Sequence, residues 1–101
     1  MSLTKGFDPA LLPDHFKKHG KNFRAADAEE YERLADDFLG RPIGKTEREC
    51  VKANGDKIRY NDYTNDFGVI RSDGVIRTFY KPKLMGQYRT FIDYFEAKCK
   101  E

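Results

Sequence analysis

Asn65 to Pro82 reads N-D-F-G-V-I-R-S-D-G-V-I-R-T-F-Y-K-P, and this stretch decides the fold. Two runs rich in β-branched and aromatic residues, Phe67–Arg71 and Val75–Tyr80, flank Ser72-Asp73-Gly74. Asp-Gly between such runs predicts a β-hairpin, because both residues tolerate positive φ. Strict alternation along the second run places Ile76, Thr78 and Tyr80 on one face and Val75, Arg77 and Phe79 on the other. Neither face is purely apolar. One reading is a half-solvated antiparallel sheet with its polar residues outward. The other is a sheet that covers a core and also works on something polar.

The chain has 101 residues, enough for one domain with a modest core, and residues 1–101 read as that single domain. Charged residues make up 36% of it, and neither a membrane-length apolar run nor an apolar signal-peptide stretch within Met1–Gly20 is present. A net charge of +2 says little, but the charges are segregated. Asp27 to Asp37 carries six acids against Arg33, while Phe16 to Arg24 carries Lys17, Lys18, Lys21 and Arg24 with no acid. Gly68 to Ile92 carries Arg71, Arg77, Lys81, Lys83 and Arg89 against Asp73 alone. Such segregation suits an anionic ligand on one side of the molecule, the plainer reading being a solvated surface. Cys50 and Cys99 allow one bridge and have no metal-binding spacing. Both fall at apolar positions, which favours buried free thiols; a disulfide is the alternative for a secreted domain.

Taken in order, Asp8-Pro9 opens a helical turn that Pro13 limits, and a short helix follows from Pro13 to His19, closed by Gly20. Leu12, Phe16 and His19 form one stripe of it. Asp27 to Leu39 is the clearest helix, with Asp27 and Glu30 as a capping pair and Tyr31, Leu34, Ala35, Phe38 and Leu39 on one face. Its other face is acidic and would repel a polyanion. Thr46–Ala53 and Lys57–Tyr60 read as a first hairpin around Asn54-Gly55. Lys83–Gly86 reads as loop, and Gln87–Lys98 as a closing helix bearing Tyr88, Phe91, Ile92, Phe95 and Cys99 on one side. Helices at both ends and a roughly four-stranded antiparallel sheet between them define an α+β fold.

His15 and His19 have the i, i+4 spacing of a helical zinc pair, but no third ligand accompanies them. Glu96-Ala97-Lys98 matches a nuclease-like triplet, yet it lies on an amphipathic helix. There is no glycine-rich phosphate loop and no nucleophile motif. Histidine, lysine, threonine, tyrosine and arginine remain. They suit a ribonuclease that uses the 2′-OH of its substrate as nucleophile, which requires proton transfer and positive charge on the phosphorane.

Two segments carry a resemblance: His15-Phe16-Lys17-Lys18-His19-Gly20-Lys21-Asn22-Phe23, and Ser72-Asp73-Gly74-Val75-Ile76-Arg77-Thr78-Phe79-Tyr80-Lys81. Together they resemble the colicin D-like tRNase domains and the related toxin tips of contact-dependent inhibition systems, within the barnase, EndoU, colicin and RelE-like group of folds. The resemblance spans Asp14 to Lys81. It implies His19 as the catalytic histidine and Lys18 as the lysine directly before it. The family's further lysine, three positions before the histidine, falls on Phe16, with Lys17 one residue away. Thr78 stands where the family has serine, and Tyr80 where it has tryptophan.

The resemblance thus implies a tRNA-cleaving toxin domain that needs no metal or cofactor. Catalysis would rest on His19, Lys18, Thr78 and Tyr80, and substrate binding on Lys17, Lys21, Arg77 and Lys81. It further implies a monomeric domain at the tip of a larger exported protein, acting in the cytoplasm of a target cell and neutralised by a cognate immunity protein. Two alternatives use the same residues differently: a non-catalytic RNA-binding module, or a protein-interaction domain of a phage or secretion system.

Overall fold

The computed structural model describes residues 3–84 and 86–101. Met85, inside the segment read as a loop at Lys83–Gly86, lies outside the described residues. Four strands, β1 (Glu47–Val51), β2 (Lys57–Asn61), β3 (Phe67–Ile70) and β4 (Ile76–Tyr80), form an antiparallel meander in sequence order. Each predicted hairpin turns on its glycine. Gly55 and Gly74 adopt φ of +93° and +92°, and their amides donate to Lys52 O and Arg71 O. That conformation costs any other residue a Cβ clash.

The helices are α1 (Leu12–His19), α2 (Ala28–Gly40) and α3 (Phe91–Lys100), which makes the fold α+β. Asp27 caps α2 by accepting from the Glu30 amide at 2.8 Å, and Thr90 caps α3 by accepting from Asp93 at 3.0 Å. That cap starts α3 at Phe91 and not at Gln87, so Tyr88 precedes the helix. Pro13 sits in the first turn of α1, where no amide is needed, so the turn opened by Asp8 runs into the helix instead of ending there. Gly20 does not close α1 in a left-handed conformation. At φ −57° it leads into a 3-10 turn, Gly20–Phe23, and the reversal falls on Arg24 at φ +54°. Glycine is required at position 20 for space: a Cβ there would lie 2.5 Å from the Phe16 ring.

Both faces of β2 and β3 are covered, whereas β1 and β4 keep exposed or half-buried positions, so the half-solvated reading fails for the first strand of the central hairpin and not for the second. On one face α2 and the N-terminal segment bury Phe7, Tyr31, Phe38 and Leu39 against Ile70, Ile76 and Phe79. On the other, Phe95 of α3 packs with Ile58, Tyr60 and Phe67. Coverage on two sides explains why β2 and β3 are buried almost throughout.

Strict alternation fails in β4. Val69 pairs with Thr78 but Ile70 with Ile76, so Arg77 is an extra residue in a β-bulge. Ile76 therefore joins Phe79 on the α2 side, while Thr78 and Tyr80 face the α3 side. The bulged Arg77 reaches Asp56, Nε to Oδ2 at 2.7 Å.

Cys50 of β1 and Cys99 of α3 form a disulfide, with Cα atoms 6.2 Å apart. The free-thiol expectation is corrected. Both cysteines do occupy apolar positions, but β1 and α3 bring those positions into contact. The bridge closes a sequence separation of 49 and anchors a helix of which Phe95 alone is fully buried. Reduction should therefore cost ~2–5 kcal/mol of unfolding free energy, read as a lower urea midpoint in dithiothreitol. An unchanged midpoint would mean that packing alone holds α3.

Among the described residues no helix is long and apolar enough to cross a membrane.

Candidate active site

The last turn of α1, the 3-10 turn and the end of β4 meet in a cleft of about 370 Å³. α1 contributes Lys17, Lys18 and His19, and the 3-10 turn contributes Lys21 and Asn22. Tyr80 closes the wall, with Lys81 and Lys83 beyond it. Gly20, with no Cβ to meet the Phe16 ring, lets the 3-10 turn follow α1 directly, so lysines from two successive short elements face one space.

His19 stacks on Tyr80, with ring centroids 5.3 Å apart and planes 29° apart. Tyr80 is fixed from three sides: by this imidazole, by the Phe67 ring at 5.1 Å, and by a hydroxyl–hydroxyl hydrogen bond to Tyr94 of α3. That ring face of Tyr80 is thus occupied by His19 and is closed to a stacking base. Burial, reinforced by the Tyr94 hydroxyl, raises the Tyr80 pKa far above the usual tyrosine value, so it stays a neutral phenol. Burial lowers the His19 pKa below 6.5, the charges of His15 and Lys18 adding to the effect and Asp14 opposing it. The result is an imidazole that is neutral at pH 7 among ammonium groups.

The predicted cations divide into free and engaged groups. Lys17 and Lys21 have no ion-pair partner among the described residues. Lys18 pairs with Asp14 at 3.0 Å in an exposed i, i+4 contact, which contributes little and can exchange for a ligand. Lys81 is more firmly committed. Its Nζ donates to Asp66 at 2.5 Å and to the Thr64 carbonyl at 2.8 Å, and it lies 5.0 Å from the centre of the Phe23 ring. It anchors the β2–β3 loop at the edge of the cleft. Arg77 is tied to Asp56, outside the cleft.

Thr78 is also outside. It lines a separate hollow on the other side of Tyr80, together with Arg77. The structure therefore brings Lys17, Lys18, His19, Lys21, Tyr80 and Lys81 together and leaves Arg77 and Thr78 apart from them.

Asn22 and Lys83 line the cleft without having been singled out. Asn22 continues the basic run, which was signal enough, whereas Lys83 lies beyond Pro82 in a segment without periodicity.

His15 packs its ring 5.1 Å from Phe7, and its buried Nδ1 has no hydrogen-bond partner among the described residues. It belongs to the core side of α1, 6.3 Å from the His19 ring. Among the described residues no group of three or more His, Cys, Asp or Glu side chains is arranged to hold a metal ion. The donors lining the cleft are ammonium, amide, imidazole and phenol, a set that holds an anion.

No protein-family model matches the chain, and no curated protein matches its sequence.

Proposed function

We propose that the chain is an endoribonuclease toxin domain that cleaves RNA, with tRNA as its substrate, by 2′-OH transesterification. One observation carries this reading: the His19 imidazole stacks on Tyr80 in a cleft whose remaining lining is five lysines and Asn22, and burial there depresses its pKa. The neutral His19 takes the proton of the 2′-OH as the 2′-oxygen bonds to phosphorus. The bond from phosphorus to the 5′-oxygen then breaks, and the imidazolium returns its proton to the leaving oxygen. Lys17, Lys18 and Lys21 stabilise the charge of the phosphorane. Tyr80 holds the imidazole in place, and Lys81 holds the loop beside it. These steps need neither metal nor cofactor.

The Cys50–Cys99 bridge supports an exported protein, since disulfides persist in oxidising compartments. The domain would then act in the cytoplasm of a target cell as the monomeric tip of a larger chain, restrained by an immunity protein. The position of Thr78 outside the cleft favours a second reading, an RNA-binding module with no catalysis, because it leaves fewer groups around the phosphate.

Incubation of the pure protein with total RNA separates these readings on a gel. Discrete fragments are expected; a mobility shift without fragments would make the protein a binder, and no effect would favour a protein-interaction domain. Affinity for a single-stranded RNA should fall with salt, and Lys21→Ala should reduce the slope of log K against log salt by about 0.7. Glu29→Ala, on the acidic face of α2, should leave the slope unchanged. Equal effects would place the RNA on another face.

A further inference from the structure

Tyr80 has a second side. The hollow beyond it measures about 220 Å³, and its floor is formed by Ile58, Phe67 and Val69 on the α3-facing side of the sheet. Ile58 and Phe67 are 2% and 1% exposed, so the floor is closed and apolar. Most charges around the rim are paired with one another, and Lys52 alone of them has no ion-pair partner among the described residues. Arg77 binds Asp56 at 2.7 Å, and Lys98 binds Glu101 at 3.1 Å. Such a rim offers a phosphate one unpaired ammonium, fewer than the lysine cleft does. Thr78 adds a hydroxyl, a donor and acceptor that has no partner among the described residues.

An apolar floor, a largely paired rim and one hydroxyl without a partner among the described residues suit a planar heterocycle with a hydrogen-bonding edge. The volume is below that of a pocket for a drug-sized ligand and holds one ring system. Tyr80 is the wall shared with the lysine cleft, so a nucleotide whose phosphate lies beside His19 has its base within reach of the hollow.

We propose that this hollow is the nucleobase subsite of the RNA substrate and that Thr78 reads the edge of the base. The proposal rests on the ribonuclease reading above. It gives Thr78, placed by the resemblance among the catalytic residues, the selection of the base instead.

Chemical-shift mapping of the isotopically labelled protein tests this, with inorganic phosphate and the four ribonucleoside 3′-monophosphates as probes. Phosphate should shift the amides of Lys17 to Lys21 and leave Val69 and Thr78 in place. The nucleotides should shift both sets, with unequal affinities for the four bases. Thr78→Val should reduce the preference for the best base about three- to ten-fold, the loss of one hydrogen bond. Phosphate affinity should not change. Nucleotides that shift only the residues phosphate shifts, or that leave Val69 and Thr78 unmoved, would overturn the subsite, as would an unchanged base preference in Thr78→Val. Nucleotides that shift the hollow while neither probe shifts His19 would support a base site and overturn the ribonuclease reading instead.

Discussion

His19→Ala is expected to lower RNA cleavage by ~10²–10⁴-fold, the usual contribution of a positioned proton-transfer group. His19 is the last residue of α1 and contacts Tyr80 through one ring face, with no hydrogen bond to another element among the described residues. Its removal should leave the fold and RNA binding intact. His15→Ala is the informative control. That ring packs on Phe7 in the core, so its loss should lower stability and have little effect on the rate of the folded protein. The pH profile adds a second readout. Since burial and the neighbouring charges of His15 and Lys18 depress the His19 pKa, the base form persists below the ordinary value of 6.5. Cleavage should fall on the acid side only below that value, and the limb should be absent from the residual activity of His19→Ala. A fully active His19→Ala with an inactive His15→Ala would assign catalysis to the other histidine.

Arg59→Ala should destabilise the protein by ~3–5 kcal/mol, the cost of breaking a largely buried ion pair and stripping two carbonyls of their donor, with only Lys57 at 3.9 Å left to Glu49. The side chain is 3% exposed and joins three elements. Nη1 donates to the carbonyls of Phe38 at 2.8 Å and Arg41 at 2.6 Å, groups that the end of α2 leaves without helical partners. Nε and Nη2 donate to Glu49 of β1 at 2.8 and 2.6 Å. Arg48→Ala, which removes an exposed pair with Asp62, should cost no more than ~1 kcal/mol. Urea denaturation of both variants measures the contrast. Equal losses would mean that Arg59 is solvated in solution.

Arg59 also shows where sequence reading stops. Between Ile58 and Tyr60 it alternates as a solvent-facing residue should, and local pattern does not reveal that the end of α2 covers that face. The hairpins were legible because Asn54-Gly55 and Asp73-Gly74 impose turns by their own backbone preferences. α2 was legible because its cap and apolar period are local. The bulge at Arg77 was not, since it exists only in the register between β3 and β4. The disulfide depended on β1 meeting α3 across 49 residues, a tertiary event that spacing does not encode.

The candidate site divides in the same way. Lys17, Lys18, His19 and Lys21 lie in one short run, so their proximity is built into the chain. The stacking of His19 on Tyr80 needs α1 to reach the end of β4. The bulge upstream then fixes which face Thr78 and Tyr80 share, and Thr78 falls on the far side of Tyr80 from the cleft.

The most direct measurement is of the ends left on cleaved RNA. The purified protein should cut tRNA in excess EDTA and leave a 2′,3′-cyclic phosphate on one fragment and a 5′-hydroxyl on the other, because His19 activates the substrate's own 2′-OH. Intact RNA, cleavage that stops on chelation and returns with Mg²⁺ or Zn²⁺, or fragments bearing a 5′-phosphate would contradict transesterification by His19 in the lysine cleft.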